Sequence, residues 1–585
     1  MGRRRTIAAI RRRLASGDLR GLARSVLRRI KRSDETPGPP LDHGRWRARH
    51  LQLSEDDHRR LDQWIAVGGP TVEVHLALEG SAQDLVRRTI ASVTGQRTNR
   101  WRLVLHGDED ATDRVLDDTP EIADDARFSA IPPDAHVDRS SWIWPILPGD
   151  VLHEAAIGVV SGFAARNPKA RIIYVDEDHV DPGGLHHFPH AKPDWNPDLL
   201  RGCDYLGRSV AFGPEFSQAL VMPSTGTGGR VESSDAAAHE RNLAATALVE
   251  GAEIVHIPHL LFSRLGTDGP PPIPHRRQIN DPLPDPPPRV SILIPTRDRG
   301  RMLARCLESL RETSTYPDTE LVVIDHETTQ RRARRLLVGL TDDPRATVLR
   351  HRGPFNFSAM VNRAAAASSG QILCLLNNDT EVLSPDWLET LVGQLCRPGV
   401  GAVGALLLFP DDTIQHAGVH PGVGGLMGHG HKHLPADDPG YFGRLTTPHE
   451  VAAVTGACLA IKRSVWDELG GLDQENLPVA YNDVDLCLRV RTAGLRIILA
   501  PGAVLRHHES VSRGFDDDPI GRQRLAREVE LMRNRWGALL DEDPAYNPNL
   551  ALDGGSFRLT DAPRTIPPWS EQQDQRTASP PDAAR

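Results

Sequence analysis

The sequence lacks any continuous run of the ~20 apolar residues that a helix needs to cross a bilayer, and its first residues never form the apolar centre of a signal peptide. We therefore expect a cytoplasmic protein that is either soluble or peripheral to a membrane. An excess of positive charge is also missing. The net charge of −9 argues against a protein that binds nucleic acid by bulk electrostatics.

Paired cysteines are absent as well. The 6 cysteines are scattered without a CxxC pair, a pattern that argues against a zinc site or a disulfide framework and fits a reducing compartment. Several of them, such as Cys374, lie inside apolar runs, where a thiol behaves as a small hydrophobic group. We predict that the cysteines are core residues.

The chain of 585 residues is long enough for two or more domains. Residues 1–32 are dense in arginine, with apolar residues at roughly helical spacing. Such an arm is either a basic amphipathic helix for an anionic membrane surface or a solvated, partly disordered segment. A proline-rich stretch at 266–288 is predicted to be a linker, because proline interrupts helices and central strands. Residues 551–585 are predicted to form a disordered tail.

Strand-like and helix-like runs alternate through residues 289–550. The strands are predicted at 290–295, 320–325, 346–349 and 372–376, and the helices at 301–313, 328–340 and 357–367. This alternation predicts an α/β fold with a mostly parallel sheet, in which ligands bind outside the carboxyl ends of the strands. Residues 67–265 repeat the rhythm faintly, so we expect two tandem copies of one architecture.

Polar residues follow the last of these predicted strands. Asn377, Asn378 and Asp379 come directly after the apolar residues 372–376. Their carboxylate and amide oxygens suit a hard divalent cation that carries a diphosphate. Asparagine and aspartate also favour turns and helix caps, so this cluster alone does not establish a site.

Two further clusters fall where the fold places the carboxyl ends of its strands. Asp483 opens a predicted helix that continues to Gly494, where an acid is either a helix cap or a general base aimed into the cleft. His507 and His508 follow a predicted strand at 496–500 and are either surface residues or a nitrogen ligand. Each cluster alone favours the structural explanation, but the coincidence of all three favours a functional site.

Eight sequence strings in the second half carry a family resemblance. They are VSILIPTRD (290–298), ELVVIDHET (320–328), GPFNFSAMVNRAA (353–365), LLNNDTEVLSPDWL (375–388), TIQHAGV (413–419), NLPVAYNDVDLCLRVRTAG (476–494), HHESVSRG (507–514) and DPAYNPNL (543–550). Residues 289–550 therefore resemble family 2 glycosyltransferases with the GT-A fold. The resemblance is to two-domain, rhamnosyltransferase-like enzymes of bacterial O-antigen and cell-surface polysaccharide assembly.

The resemblance implies an inverting glycosyltransferase that uses Mg²⁺ or Mn²⁺ and a UDP- or dTDP-sugar. The acceptor would be a glycan or a lipid-linked glycan, and the enzyme would be cytoplasmic or peripheral on the inner face of the cell membrane. The resemblance implies that Thr296 and Asp325 line the pocket for the base and ribose, with support from Asn362. Asp379 would bind the metal, with Asn377 and Asn378 beside it, and Asp483 would be the general base. His507 would complete the set of metal or phosphate ligands, with His508 as the less favoured alternative.

Residues 67–265 resemble the N-terminal, glycosyltransferase-like domain of the same proteins through IIYVDEDHVD (172–181) and HAKPDWNPDLL (190–200). Where a metal motif is expected, residues 142–150 are apolar and interrupted by proline, and residues 233–237 lack the acidic helix opening. We therefore predict a degenerate, inactive copy that serves packing or acceptor binding. The acidic string Asp176-Glu177-Asp178 is the one feature that would support a metal here.

Three alternatives remain open from the sequence. The first is that the whole chain is a catalytically inactive, glycan-binding scaffold. The second is that it is a nucleotidyltransferase, a class of enzyme that also combines a metal and a nucleotide on an α/β sheet. The third concerns a possible metal site. The alternating residues His429, His431 and His433 form either a zinc site or part of a mobile loop over the acceptor site.

Overall fold

The structure is a computed structural model that describes residues 42–78, 82–123, 125–131, 141–216, 242, 253–266, 279, 281–508 and 519–570. The arginine-rich arm of residues 1–32, most of the proline-rich linker and residues 571–585 lie outside these ranges. Among the described helices, none has the length and apolar character required to span a bilayer.

The first half of the chain folds around one sheet, whose strands alternate with helices. Its strands are β1 (Val72–Ala77), β2 (Trp101–His106), β3 (Phe128–Ile131), β4 (Trp142–Ile146), β5 (Val151–Leu152), β6 (Ala170–Val180), β7 (His186–His190), β8 (Val210–Phe212) and β9 (Glu253–Leu265). Its helices are α1 (His43–His50), α2 (Glu55–Ala66), α3 (Gln83–Thr94), α4 (Glu109–Asp118), α5 (Pro120–Ala123), α6 (Ala156–Arg166) and α7 (Pro197–Gly202).

The second half builds a second sheet in the same manner. Its strands are β10 (Val290–Thr296), β11 (Thr319–His326), β12 (Ala346–His351), β13 (Ile372–Leu376), β14 (Thr380–Val382), β15 (Val400–Leu408), β16 (Ile414–His416), β17 (Val419–Pro421), β18 (Met427–His429), β19 (His449–Glu450), β20 (Cys458–Lys462) and β21 (Arg496–His507). Its helices are α8 (Gly300–Thr313), α9 (Arg331–Leu340), α10 (Phe357–Ala366), α11 (Trp387–Leu395), α12 (Arg463–Leu469), α13 (Asn482–Thr492) and α14 (Pro519–Asp541).

Both sheets have the same topology. The strand orders are β3-β2-β1-β4-β8-β6-β9-β5 and β12-β11-β10-β13-β20-β15-β21-β14. In each sheet the first four strands run parallel, the fifth is antiparallel to both of its neighbours, and the short last strand is antiparallel to the seventh. The predicted α/β architecture is therefore present twice, as two mixed sheets.

Burial explains why the strands of the second sheet could be predicted from the sequence. Every residue of β10 is buried, because helices cover both faces of the parallel part of the sheet. Leu293 packs into one core cluster, whereas Ile292 and Ile294 pack into the cluster on the opposite face. Helix α8 buries Leu303 and Leu307 at helical spacing against the sheet. The cysteines fit this picture, since all are free and all but the half-buried Cys396 are buried.

The predicted disordered tail is wrong for residues 551–570. Phe557 and Leu559 are buried in a cluster with Trp46 of α1, and Trp569 packs into the core of the first sheet. Aromatic burial outweighs the polar, proline-rich composition on which the expectation relied. The segment therefore ties the two halves together.

A buried carboxylate of the first half binds the residues just before this segment, 543–550. Asp176, at the centre of β6, accepts hydrogen bonds from the Nδ2 atoms of Asn547 at 2.9 Å and Asn549 at 3.2 Å. His256 also contacts Asp176, with 3.0 Å between its Nε2 and Oδ1 of the carboxylate. Residues 543–550 (DPAYNPNL), which we call the C-terminal clasp, thus connect the second half of the chain to the first.

We predict that Asn547→Ala lowers the free energy of unfolding by about 1–3 kcal/mol, because the substitution removes charge-assisted hydrogen bonds from a buried carboxylate. The midpoint of urea unfolding, followed by tryptophan fluorescence, measures the loss. Asn476→Ala is the matched control, since Asn476 is exposed and bonds only a surface loop; its effect should stay within ~0.5 kcal/mol. Equal effects of the two substitutions would contradict the role of the clasp.

Candidate active site

The carboxyl ends of β10 and β11 bring two of the predicted residues together. Thr296 and Asp325 lie directly opposite each other in the parallel register. The hydroxyl of Thr296 accepts a hydrogen bond of 2.7 Å from Nδ2 of Asn378, which follows the neighbouring strand β13. Asp325 accepts from the backbone N–H of Thr328 at 3.0 Å and borders a cavity of about 700 Å³. Arg350, with other arginines, gives that cavity a basic lining.

Asp379 and His507 meet at the centre of the site. Strand β14 pairs antiparallel with β21, and this pairing sets Thr380 opposite His507. Nε2 of His507 lies 3.1 Å from Oδ1 of Asp379 and 3.2 Å from Nδ2 of Asn377. Asp379 is buried, with 2% of its surface exposed. A carboxylate and an imidazole thus converge on one point beside the amides after β13.

His508 faces a different group. Its Nε2 lies 3.2 Å from Oε2 of Glu381, and its backbone N–H donates to the carbonyl of Asp379 at 2.9 Å. Burial favours the protonated form of Glu381, but hydrogen bonds from His508 and Arg506 outweigh it and hold the pKa of Glu381 below its ordinary value. Of the two histidines, the structure therefore brings His507 to Asp379.

Asp483 enters the same region from the start of α13. Its Oδ2 accepts a hydrogen bond of 2.7 Å from the backbone N–H of Gly456, and its Oδ1 accepts from Val484 at 2.9 Å. The next residue, Ala457, accepts a backbone hydrogen bond of 3.0 Å from Asn377. One short segment before β20 therefore links the carboxylate of Asp483 to the residues beside Asp379.

Asn362 is not brought into this group. It lies on α10, and its Nδ2 donates to the carbonyl of Leu472 at 2.8 Å and to Oε1 of Gln474 at 3.1 Å. Its Oδ1 accepts from the N–H of Leu472 at 2.9 Å. The side chain is engaged at both ends in holding the loop after α12.

Two site residues had no predicted role. Gln415 and His416 belong to the string TIQHAGV, which carried the resemblance, and to β16, which pairs with β15. The side-chain oxygen Oε1 of Gln415 lies 2.8 Å from Nδ1 of His507. Burial, with His429 nearby, holds the pKa of His416 well below its ordinary value. The adjacent glutamine and histidine, which follow the apolar Ile414 in this three-residue strand, were the available signal.

The three alternating histidines diverge rather than forming a zinc site. Nδ1 of His429 lies 2.8 Å from Nδ1 of His416. His431 stacks on Phe557, and its Nε2 accepts a hydrogen bond of 3.0 Å from the N–H of Tyr441. The exposed His433 is directed to a third place, the ring of Phe409. Their different partners explain why the alternation in sequence does not produce a shared ligand set.

The burial of His431 predicts a pH dependence of stability. Desolvation, with the charge of Arg444, holds its pKa well below 6.5. As the pH falls below 6.5, the unfolded chain therefore takes up a proton that the folded chain excludes, and stability declines. We predict that His431→Gln reduces this decline by up to ~1.4 kcal/mol per pH unit between pH 6.5 and 5.

Unfolding midpoints measured from pH 8 to pH 5 test this expectation. Glutamine keeps an acceptor for Tyr441, so His431→Gln should fold. The control is His433→Gln, in the same segment but exposed, and it should follow the wild-type pH profile. An unchanged profile for His431→Gln would contradict the assignment.

The described residues contain no group of three or more His, Cys, Asp or Glu side chains arranged to hold a metal ion. The pair of Asp379 and His507 nevertheless suits a cation that is shared with a ligand. Mg²⁺ in particular is held by one or two protein groups together with waters and phosphate oxygens of the substrate. The donor set therefore fits a divalent cation that arrives with a diphosphate.

At the described strand ends of the first sheet, other residues replace the polar groups of the second. Because the registers of the two sheets match strand by strand, six residues at the strand ends of the second half have counterparts in the first. The counterparts are Leu78 for Thr296, Gly107 for Asp325, Leu147 for Asn377, Pro148 for Asn378, Gly149 for Asp379 and Arg264 for His507.

Local packing prevents an aspartate at position 149. Gly149 has a φ of +94°, and a Cβ placed there would lie 2.7 Å from Cδ2 of Leu265. The adjacent Asp150 is buried in an ion pair with Arg208, with distances of 2.7 and 2.9 Å. An internal guanidinium thus neutralises the one carboxylate beside this strand end.

The acidic string of β6 is likewise occupied by protein groups. Asp176 binds the C-terminal clasp, and Glu177 lies 3.1 Å from Nζ of the buried Lys192. Asp178 lies 2.6 Å from Arg47 and 2.8 Å from His43. Burial opposes the charge of Asp178, but hydrogen bonds from histidines and the charge of Arg47 outweigh burial and lower its pKa. These carboxylates hold the first half together.

Residues 291–470 match the family model described as Glycosyl transferase family 2. Uncharacterized protein y4gI of Sinorhizobium fredii is 36% identical over 543 residues, which are 84% of this chain and 59% of that protein. The O-antigen biosynthesis protein RfbC of Myxococcus xanthus is 30% identical over 547 residues, 87% of this chain and 42% of that protein. The chain thus spans about half the length of these relatives.

A shorter match is to the N-acetylglucosaminyl-diphospho-decaprenol L-rhamnosyltransferase of Mycobacterium tuberculosis. It is 28% identical over 141 residues, 23% of this chain and 45% of that protein.

Proposed function

We propose that this chain is a member of glycosyl transferase family 2, whose model residues 291–470 match, with a GT-A domain in its second half, and that it transfers a sugar from a nucleotide-diphosphate donor to a hydroxyl group. The acceptor is a growing cell-surface polysaccharide or a lipid-linked glycan, a class favoured by the similarity to an O-antigen biosynthesis protein. The observation that carries the proposal is the 3.1 Å approach of His507 to Asp379 at the strand end. Asp483 is connected to that strand end through Gly456, which donates to Asp483, and Ala457, which accepts from Asn377.

In this proposal Asp379 and His507 hold Mg²⁺ or Mn²⁺. When bound, the cation neutralises the negative charge that develops on the departing nucleoside diphosphate. The chain supplies a buried carboxylate and an imidazole nitrogen 3.1 Å apart. Asn377 and Asn378 shape the edge of this site, and Asn378 joins it to Thr296 through a hydrogen bond of 2.7 Å.

Asp483 acts as the general base. The backbone N–H of Gly456 fixes one of its oxygens, which orients the carboxylate from the first turn of α13. The acceptor oxygen bonds to the anomeric carbon as the bond to the phosphate oxygen breaks. The electron pair leaves with the nucleoside diphosphate, and the acceptor proton passes to Asp483. A single displacement of this kind inverts the anomeric configuration.

The nucleoside of a UDP- or dTDP-sugar is assigned to the ends of β10 and β11. Thr296 and Asp325 are opposite each other there, beside the basic cavity of about 700 Å³. The loop-bound amide of Asn362 has no part in this pocket, because both of its ends bond residues 472–474.

The first half is proposed to be an inactive copy that supports the second. The strand-end replacements of Thr296, Asp325 and Asp379 by Leu78, Gly107 and Gly149 remove the polar groups that a nucleotide and a cation need. Its buried acids bond internal cations and the C-terminal clasp. These observations support a role in packing for the first half.

For a lipid-linked acceptor, we place the enzyme at the cytoplasmic face of the membrane. The arginine-rich residues 1–32 would supply attraction to anionic lipid. This arm lies outside the described residues, so the assignment rests on its composition.

Asp483→Asn is predicted to reduce transfer by roughly 10²–10⁴-fold, because an amide cannot take up the acceptor proton. The assay follows release of nucleoside diphosphate from a nucleotide sugar in the presence of membrane-extracted glycan acceptors. Asp467→Asn, on the exposed side of the neighbouring helix α12, should retain wild-type turnover. Wild-type activity in Asp483→Asn would exclude the base. Release of pyrophosphate instead would identify a nucleotidyltransferase, and no turnover with any donor would favour an inactive scaffold.

Titration calorimetry with UDP or dTDP in the presence of Mn²⁺ tests the proposed inactive copy. We expect one binding event per chain, which Asp379→Asn abolishes, because the described residues of the first half offer no second group of ligands for a cation. Asp150→Asn is the control for the loss of a buried acid and should leave the number of binding events per chain unchanged. A thermal melt checks that this variant folds. A second equivalent, or binding retained in Asp379→Asn, would contradict the inactive assignment.

A further inference from the structure

Gln415 holds His507 at two points. It is 4% exposed and lies on β16. Its Nε2 donates to the backbone carbonyl of His507 at 3.3 Å, and its Oε1 lies 2.8 Å from Nδ1 of the same residue. One side chain therefore contacts both the main chain and the ring of His507.

These two contacts fix the direction of the amide. A backbone carbonyl only accepts hydrogen bonds, so the NH₂ group of Gln415 must face it. The oxygen of the amide then faces Nδ1 of His507, and an oxygen acceptor requires an N–H on that nitrogen. The reversed amide would place an oxygen against the carbonyl. The network thus assigns the proton of a neutral His507 ring to Nδ1.

With the proton on Nδ1, the lone pair of the opposite nitrogen can bind a cation that takes the place of a proton between Nε2 and Asp379. Nε2 of His507 lies 3.1 Å from Asp379 and 3.2 Å from the amide nitrogen of Asn377, which is able to donate to it. Histidines that bind metals usually donate their second N–H to an oxygen acceptor, which fixes the tautomer and the ring orientation. Gln415 provides that acceptor without adding a negative charge.

We infer that Gln415 is a positioning residue that keeps His507 in the Nδ1–H tautomer and directs its Nε2 lone pair at the cation shared with Asp379. This inference rests on the proposed function, because it assumes that Asp379 and His507 hold a cation. It adds a residue of β16 that acts through its contacts with His507.

An electron paramagnetic resonance titration of Mn²⁺, with UDP present, measures the effect on the full chain. Gln415→Met preserves length and volume but removes both hydrogen bonds, and it should weaken Mn²⁺ binding by about 10–100-fold. If Gln415 acts through His507, the double variant Gln415→Met/His507→Ala should bind Mn²⁺ no more weakly than His507→Ala alone. Gln371→Met, an exposed glutamine that bonds the backbone of Arg289, should leave the affinity unchanged.

A second measurement requires no metal. In ¹⁵N-histidine-labelled protein, the signals of His507 are identified by their loss in His507→Ala. We expect the proton on Nδ1 in the wild type, and a shift toward Nε2–H in Gln415→Met. A merely structural role of Gln415 would lower stability without moving the tautomer.

The outcomes separate this inference from the proposed function. If the wild type binds no Mn²⁺ with UDP present, the proposed metal use fails, and the inferred cation-directed role fails with it. If Asp379→Asn abolishes Mn²⁺ binding but Gln415→Met retains full affinity, only the role of Gln415 is overturned. A wild-type His507 that carries no proton on Nδ1 overturns that role directly.

Discussion

The antiparallel pairing of β14 with β21 is the constraint on which the site depends. It sets Thr380 opposite His507 and so brings the carboxylate after β13 within 3.1 Å of the imidazole at the end of the last strand. The parallel strands β10, β11 and β13 add Thr296, Asp325 and the two asparagines at the same edge. A shift of β14 by one residue would turn Asp379 to the opposite face of the sheet and separate the pair.

The two halves show how one backbone arrangement accommodates different demands. Both sheets have the same strand order and matching registers. In the second, polar groups such as Asp379 and the two asparagines occupy the strand ends. In the first, leucine, proline and glycine occupy those places, and the nearby acids are used in internal ion pairs such as Asp150 with Arg208. The first half instead contributes Asp176, which anchors the C-terminal clasp.

Much of the second half was predictable because central strands such as β10 and β13 are buried on both faces and are continuous apolar runs in the sequence. The predicted helices and strands from 290 to 376 appear with small differences at their ends. Asn362 shows the limit of this approach, since an exposed-looking polar residue in a matched string bonds a loop that is remote in sequence. Gln415 was missed for the same reason, because its role follows from a long-range contact with His507. The prediction of a disordered tail was wrong for residues 551–570 because the burial of a few aromatic residues, notably Phe557 and Trp569, outweighs the polar, proline-rich composition of this segment.

The central claim is that Asp379 and His507 share one cation with the diphosphate of the donor. Anomalous diffraction at the manganese absorption edge, from crystals grown with Mn²⁺ and UDP or dTDP, tests it most directly. We expect one peak per chain, between Asp379, His507 and the diphosphate, and none beside Gly149. A peak elsewhere in the second half, or a nucleotide bound away from Thr296 and Asp325, would contradict it.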